Sequence, residues 1–353
     1  MPPPRSHGTR PLDLAQGRVD MAHGSGGRAS AQLVEELFAK AFDNGPLRQG
    51  NDGAVLGLPP GAEGCRLVVA TDAHVVSPIF FPGGDIGCLS VHGTLNDVAV
   101  MGARPLWMAA AFVLEEGFPL ADLARIVASM ARASREAGVP IVTGDTKVVE
   151  RGKGDGVFIT TTGVGVTLPG VELGGDRARP GDAVLVSGPI GDHGLAILGQ
   201  REELAFESPI VSDTAALHGL VETMLGAAPG IHVLRDPTRG GVATSLNEIA
   251  RQSGVGIVLE ERAIPVRESV AAACEILGLD PLYAACEGRC LVVCPAGEAG
   301  ILLEAMRSHP LGNAAARIGE VVEDAQAFVQ MRTAFGGSRV VDWLTGDQLP
   351  RIC

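Results

Sequence analysis

Apolar residues fall in short blocks separated by glycine, proline and aspartate, and the periods of those blocks predict alternating strands and helices. Leu33, Leu37 and Phe38 share one face of a helix from about 29 to 42 that follows Gly26-Gly27. Leu67 to Thr71 is a short apolar strand ending in Asp72. Asp85 stands at the N-cap position of an apolar helix that stops at Gly102. Strands are expected over 104–114 and 157–166, with a helix over 120–137 between them. Pro140 to Thr143 reads as a short strand leading into Gly144-Asp145-Thr146-Lys147. Beyond a Gly/Pro/charged stretch at 169–180, strands are expected at 183–187, 256–259 and 290–294, and helices at 215–225, 243–253, 266–277 and 299–307. Two successive strand-and-helix units of similar size indicate two α/β or α+β layers, and α+β is the class expected here.

The division follows from that pattern: an extension over 1–19, Pro-, Arg- and Gly-rich and expected to be disordered, a first domain over 20–168, a second over 169–335, and a flexible tail over 336–353 ending in Cys353. With 353 residues, two domains are the ordinary expectation. Apolar content is 46%, yet no uninterrupted apolar run approaches the length of a membrane span, which is about 18 residues or more. No charged-then-apolar segment opens the chain. The 28 Lys and Arg against 41 Asp and Glu give a net charge of −13, which argues against nucleic acid as the main partner. Seven cysteines in a core-forming chain point to a reducing, cytoplasmic setting rather than a disulfide framework. Cys290 and Cys294 fall on one face of a buried strand, so packing is favoured over metal binding.

The polar residues that interrupt apolar elements are mostly aspartates: Asp52, Asp72, Asp97, Asp145 and Asp236. Asp beside Gly is usually a turn residue. Asn96-Asp97, inside an apolar helix, is harder to explain that way, because a buried carboxylate is costly unless paired or bound to a cation. Five such aspartates suggest a Mg²⁺ site that carries nucleotide phosphates. Phosphate also needs donors. Lys147, one of only three lysines, lies two residues after Asp145. His23-Gly24-Ser25-Gly26-Gly27-Arg28 offers bare backbone N–H groups ahead of a helix, as an anion cradle or as a plain linker. Cys353 closes the sequence after glycine hinges, where a thiol has reach but little packing value.

These residues resemble the HypE family of NiFe-hydrogenase maturation proteins over essentially all of 20–353. The matching strings are His23-Gly24-Ser25-Gly26-Gly27, Asn51-Asp52-Gly53-Ala54, Thr71-Asp72, Gly84-Asp85-Ile86-Gly87, Asn96-Asp97-Val98-Ala99, Thr143-Gly144-Asp145-Thr146-Lys147-Val148, Arg235-Asp236-Pro237-Thr238-Arg239-Gly240-Gly241, Glu287-Gly288 and Pro350-Arg351-Ile352-Cys353. The resemblance implies the two-domain fold of aminoimidazole ribonucleotide synthetase and a homodimer joined through the first domains. It implies ATP and Mg²⁺ held by residues of these strings: Gly24, Gly26, Gly27, Asp52, Asp72, Asp85, Asn96, Asp97, Thr143, Gly144, Asp145, Lys147, Asp236, Thr238 and Arg239. It implies that the HypF carbamoyltransferase loads Cys353, that the carboxamide is dehydrated to a thiocyanate at the expense of ATP, and that the cyano group passes to iron on the HypC–HypD complex. Lys147 would hold developing charge and Glu287 would be the base. From its neighbours alone, Glu287 could equally be a loop carboxylate pairing with Arg289. Two alternatives remain on the residues themselves: a phosphoryl transferase acting on a free small molecule, or a carrier without catalysis.

Overall fold

The computed structural model describes residues 11, 27–33, 35–36, 54–57, 66–204, 210–346 and 351–352. Short helix α1 spans Gly27–Leu33. The first sheet contains β1 (Ala54–Gly57), β2 (Arg66–His74), β5 (Ala103–Glu115), β6 (Ile141–Val149) and β7 (Val157–Thr167), in the order β1-β2-β7-β5-β6. Its pairs are antiparallel except β5 with β6. A small hairpin, β3 (Phe80–Phe81) with β4 (Gly84–Asp85), leads into α2 (Ile86–Val100), and α3 (Leu120–Ala137) connects β5 to β6.

Helix α2 is apolar all round and is buried nearly all round, which is the state such a helix requires. Its start is fixed by Asp85, whose Oδ1 accepts from the N–H groups of Gly87 at 2.8 Å and Cys88 at 3.1 Å. Close packing on the sheet depends on glycine: a Cβ on Gly163 of β7 would sit 3.0 Å from Thr94 and Val98 of α2.

The second sheet runs β14-β13-β10-β12-β8-β11-β9. Its strands are β8 (Asp182–Val186), β9 (Val233–Arg235), β10 (Gly256–Glu260), β11 (Leu291–Pro295), β12 (Ala316–Val322), β13 (Val329–Arg332) and β14 (Ser338–Val340). Helices α4 (Asp192–Arg201), α5 (His218–Ala227), α6 (Gly241–Ser253), α7 (Glu268–Leu277) and α8 (Ala299–Ser308) belong to this half. Cys290 and Cys294 are fully buried in one apolar cluster with Leu217, Leu220 and Leu302. Among the described residues no helix is long and apolar enough to cross a membrane.

Three expectations need correction. Gly144-Asp145-Thr146-Lys147 is not a loop after a short strand; β6 continues through Val149. Gly144 sits there because strand β5 approaches closely, so that a Cβ would lie 2.1 Å from the Ala110 carbonyl oxygen. Second, the region from 336 is not a free tail throughout. Ser338–Val340 pairs with β13, the Val341 N–H donates to the Val329 carbonyl at 2.8 Å, and Val341 is fully buried. Third, α4, β12 and β13 were not anticipated. Gly188-Pro189-Ile190-Gly191 reads as a turn, yet Gly191 is the left-handed N-cap of α4. The expected extension at 1–19, apart from the exposed Pro11, lies outside the described residues.

Candidate active site at the junction of the two halves

Strand pairing decides which aspartates can meet. Residues facing one another across a sheet share a side, and successive residues alternate sides. Asp72 pairs with Thr161, Thr161 with Ala110 and Ala110 with Gly144, on the side covered by α2. Ala73, Thr160, Ala111 and Asp145 form the adjacent row on the opposite side. Lys147, paired with Val113, shares that opposite side. Within one chain, therefore, Asp145 and Lys147 are separated by the sheet from Asp72. They pair with each other at 3.2 Å, and the Lys147 side chain is 71% exposed. Thr143 and Gly144 lie in the same edge strand.

The α2 side holds a convergent group. A Cβ on Gly93 would lie 3.2 Å from His74 Cε1, 3.5 Å from Asp72 Oδ2 and 3.9 Å from Glu287 Oε2. Asp97 is half-buried one helical turn further along the same helix face as Gly93. Glu287 is 2% exposed and its Oε1 has no hydrogen-bond partner among the described residues. Burial, then the negative charges of Asp236, Asp72 and Asp213, push its pKa well above the usual carboxylate range, with Arg239 opposing. The alternative pairing with Arg289 does not occur. That guanidinium lies 3.3 Å from Asp213 Oδ2 and 3.7 Å from Asp192, and donates to the Pro189 carbonyl at 2.9 Å.

His74 is 1% exposed. Its Nε2 lies 3.2 Å from Thr161 Oγ1 and 3.7 Å from Asp72 Oδ2. The Thr161 hydroxyl donates to the Ser90 carbonyl at 2.9 Å, so Nε2 is the donor to Thr161 and carries the proton. Burial lowers the His74 pKa; Asp72 opposes this and Arg239 adds to it.

Asp236 is buried at the end of β9 and its carbonyl accepts from Thr238 N–H at 3.1 Å. Half-buried Thr238 and exposed Arg239 follow, and α6 begins behind a left-handed Gly240 with no side-chain cap. A helix start with uncapped N–H groups beside an arginine favours anions. The charges of Asp236 and Arg239 act on Glu287, and that of Arg239 on His74 as well, so these two residues of the loop belong to the same group as Asp72.

Other expected ligands lie elsewhere. The Asn96 amide is consumed by the protein: Nδ2 donates to the carbonyls of Ala215 at 3.0 Å and Glu287 at 3.2 Å, and Oδ1 accepts from Leu217 N–H at 2.8 Å. It joins α2 to the loop that carries Glu287 rather than facing a ligand. Asp85 caps the far end of α2, twelve residues from Asp97 and so about 18 Å away along the axis. It lines a separate cavity of about 550 Å³ with Cys88, His92, Arg125 and Arg132. Gly27 packs against the tail, where a Cβ would fall 2.2 Å from the Leu344 carbonyl oxygen. Gly24, Gly26, Asp52 and Cys353 lie outside the described residues. His74, Thr161 and Asp213 were missed. His74 carried a signal, since it follows Asp72 at strand period on the same face; Asp213 carried none.

The end of the tail is docked. Ile352 forms an antiparallel bridge with Val76, and Ser77 N–H donates to the Arg351 carbonyl at 3.1 Å. The Ile352 side chain is 5% exposed in a cluster with Val76 and Phe81. The antiparallel sense directs the chain, at Ile352, from Val76 back toward His74, the last residue of β2.

Comparison with known proteins agrees over both halves. Residues 50–167 match the family described as AIR synthase related protein, N-terminal domain, and 179–332 match the corresponding C-terminal domain. The carbamoyl dehydratase HypE of Cupriavidus necator is 68% identical over 344 residues, covering 98% of this chain and 97% of that protein. A crystal structure of a HypE–HypF complex superposes with a TM-score of 0.83 at 51% identity, covering 88% of this chain and 99% of that one. HypE in complex with ATP gives a TM-score of 0.80 at 51% identity, covering 95% of this chain and all (100%) of that one. With its two halves, its acidic junction and its docked C-terminal segment, the chain belongs to the HypE family of AIR synthase related proteins.

Proposed function

We propose that this protein is an ATP-dependent carbamoyl dehydratase that carries the carbamoyl group on Cys353 and converts it to a thiocyanate, the source of a cyanide ligand in NiFe-hydrogenase maturation. The observation that carries this reading is the pair formed by a buried Glu287 carboxyl among Asp72 and Asp236, whose Oε1 has no partner among the described residues, and a tail whose last described residue, Ile352, runs antiparallel to Val76 in the direction of that group. A relative named carbamoyl dehydratase HypE, a HypE structure in complex with ATP and a HypE–HypF complex support it.

The chemistry follows from the leaving group. An amide oxygen leaves poorly until it is phosphorylated. The thiocarboxamide oxygen attacks the γ-phosphorus of ATP in line and ADP departs. The nitrogen then loses its two protons as the C–O bond breaks, giving S–C≡N and inorganic phosphate. In phosphoryl transfer the protein supplies chiefly position and charge. Arg239 and the α6 N-terminus supply positive potential for phosphate oxygens. Glu287 accepts a nitrogen proton; a carboxylate whose pKa is raised by burial is a stronger base than one in water.

Among the described residues no three acidic, His or Cys side chains stand together as a ready metal cage, and the carboxylate oxygens present suit Mg²⁺ that arrives with the triphosphate. Asp72, Asp97 and Asp236 would hold it, and it would neutralise triphosphate charge. Asp52 and Asp145 complete the expected set of aspartates.

A homodimer belongs to the same reading. On the side of the first sheet away from α2, Val69, Val164 and Trp107 form one row, half-exposed, with Trp107 at 49%. A second copy laid on this face would bury that row and enclose Asp145 and Lys147. Cytoplasmic location, delivery by HypF, transfer to a HypC–HypD complex and the boundary at 168/169 are parts of this proposal. A phosphoryl transferase acting on a free small molecule leaves the docking of Arg351 and Ile352 without purpose.

ATP turnover tests the reading. Protein carbamoylated on Cys353 should consume one ATP per group, and Cys353→Ala, mixed with the same carbamoyl donor and transferase, should consume none beyond background. Equal turnover by the variant would move the carrier to another residue.

A further inference from the structure

Ile352 and Arg351 are held by more than the bridge to Val76. His193, in the first turn of α4, is fully buried and meets Phe81 edge-on with ring centroids 5.5 Å apart. Its Nε2 lies 2.5 Å from the Ile352 carbonyl oxygen and its Nδ1 lies 2.7 Å from Ser212 Oγ. A carbonyl can only accept, so Nε2 carries a proton. Burial pushes the pKa of this imidazole down to about 4, so the ring is neutral and Nδ1 is an acceptor. The Ser212 hydroxyl therefore donates to Nδ1, and its oxygen accepts from Thr214 N–H at 3.2 Å. The chain of donors from Thr214 through Ser212 fixes the tautomer that the tail needs.

The other end of α4 completes the grip. Arg201 donates Nη2 to the Arg351 carbonyl at 3.0 Å and Nε to the Ser77 carbonyl at 2.9 Å, spanning both strands of the bridge. The Arg351 guanidinium pairs with Asp155. Arg351 itself has φ of 53°, a left-handed conformation that a non-glycine residue keeps only where its surroundings impose it. The Ile352 oxygen belongs to the planar peptide unit that joins Ile352 to Cys353, so a donor that holds it orients the whole unit.

We propose that His193 is the positioning residue of the dehydration, its Nε2–H latching the Ile352 carbonyl and so holding the end of the tail at Val76, with the chain at Ile352 running toward the end of β2 that carries Asp72. The inference rests on the reading of Cys353 as carrier. His193 contacts the tail and not the reacting group. Its role is distinct from that of Glu287, and it predicts a loss that a hydrogen-bond donor of similar reach restores.

Full-length protein tests this with two readouts. One is single-turnover dehydration at saturating ATP, followed by the mass of the terminal peptide. The other is alkylation of unloaded Cys353 by iodoacetamide, which reads how firmly the tail is held. His193→Leu removes the donor; His193→Gln places an amide N–H near the position of Nε2. A misplacement near 1 Å costs roughly 10²-fold in rate, and loss of one buried hydrogen bond loosens a docked segment by about five- to tenfold. His193→Leu should therefore slow dehydration by roughly 10- to 100-fold and speed alkylation by about five- to tenfold, with ATP affinity unchanged. His193→Gln should recover most of both. Ser212→Ala, which frees the tautomer, should shift both in the same direction by less, and it carries the test where the leucine variant does not fold. Wild-type dehydration and alkylation in a folded His193→Leu protein would overturn the proposal. So would a glutamine variant no better than leucine, or a Ser212→Ala protein that matches wild type in both readouts. If wild-type protein leaves the carbamoyl group intact, the functional reading fails instead, and the alkylation comparison still decides the latch.

Discussion

Replacing Asn96 by alanine should loosen the joint between the two halves before it touches nucleotide chemistry. The side chain is fully buried and makes hydrogen bonds of 2.8, 3.0 and 3.2 Å to Leu217 N–H, the Ala215 carbonyl and the Glu287 carbonyl. The Glu287 carbonyl keeps a second partner in Ala215 N–H at 3.3 Å. Two backbone groups are thus orphaned. At about 1–3 kcal/mol for each buried group left unsatisfied, the loss comes to about 2–6 kcal/mol, a large part of a marginal total. Urea denaturation followed by far-ultraviolet circular dichroism measures it. Asn96→Asp is the control. It keeps an acceptor for Leu217 but turns a carboxylate toward two carbonyls, so it should be at least as damaging at neutral pH and should recover as acid protonates it. An alanine variant that unfolds within about 1 kcal/mol of wild type, yet loses ATP affinity, would refute the structural role and restore Asn96 as a nucleotide ligand.

Glu287→Gln should leave the fold intact or slightly stabilise it, because the amide keeps the shape of the side chain and removes a charge that burial and the acidic neighbours disfavour. Its dehydration rate should fall roughly 10²- to 10⁴-fold, the worth of a positioned base, with the carboxamide accumulating on the terminal peptide; a variant that dehydrates normally hands the role to another group. Acid should weaken the fold through His92 and His193, both buried and pushed down to about 4 from 6.5. The unfolded chain binds these protons first, so their contribution is complete above pH 6.5 and is lost as pH falls toward 4, by up to about 3 kcal/mol each. The raised carboxyls of Glu287 and Asp213 act in the opposite sense, being least unfavourable in acid. Unfolding free energies measured between pH 7 and 4 should thus vary less in His193→Gln than in wild type; an unchanged difference would show that His193 is not buried neutral.

Much of this architecture is legible without coordinates. The 120–137 helix, the Asp85 cap and the long strands around 104–114 and 157–166 all follow from period and capping chemistry. What misled were residues whose usual meaning was overridden by packing. Gly144-Asp145 looks like a turn because glycine and aspartate favour turns, but the glycine serves a close strand approach. Asn96 looks like a ligand because a polar side chain in an apolar helix demands partners; the partners are three backbone groups from the other half of the chain, 119 to 191 residues away. Such long-range satisfaction leaves no local trace. Sequence spacing also could not tell that Asp72 and Asp145 lie on opposite sides of one sheet, since side is decided by register. Glu287 was recognisable by resemblance alone. Its isolation from Arg289 is a matter of where the guanidinium goes, to Asp192 and Asp213.

The most direct test of the central claim is the mass of the peptide ending in Cys353, taken from wild-type protein after carbamoylation and again after ATP is added. Gain of one carbamoyl group on that peptide, followed by loss of one water only when ATP is present, is the predicted result. A carbamoyl group found on any other cysteine, or one that stays intact on Cys353 through ATP turnover, would contradict the account.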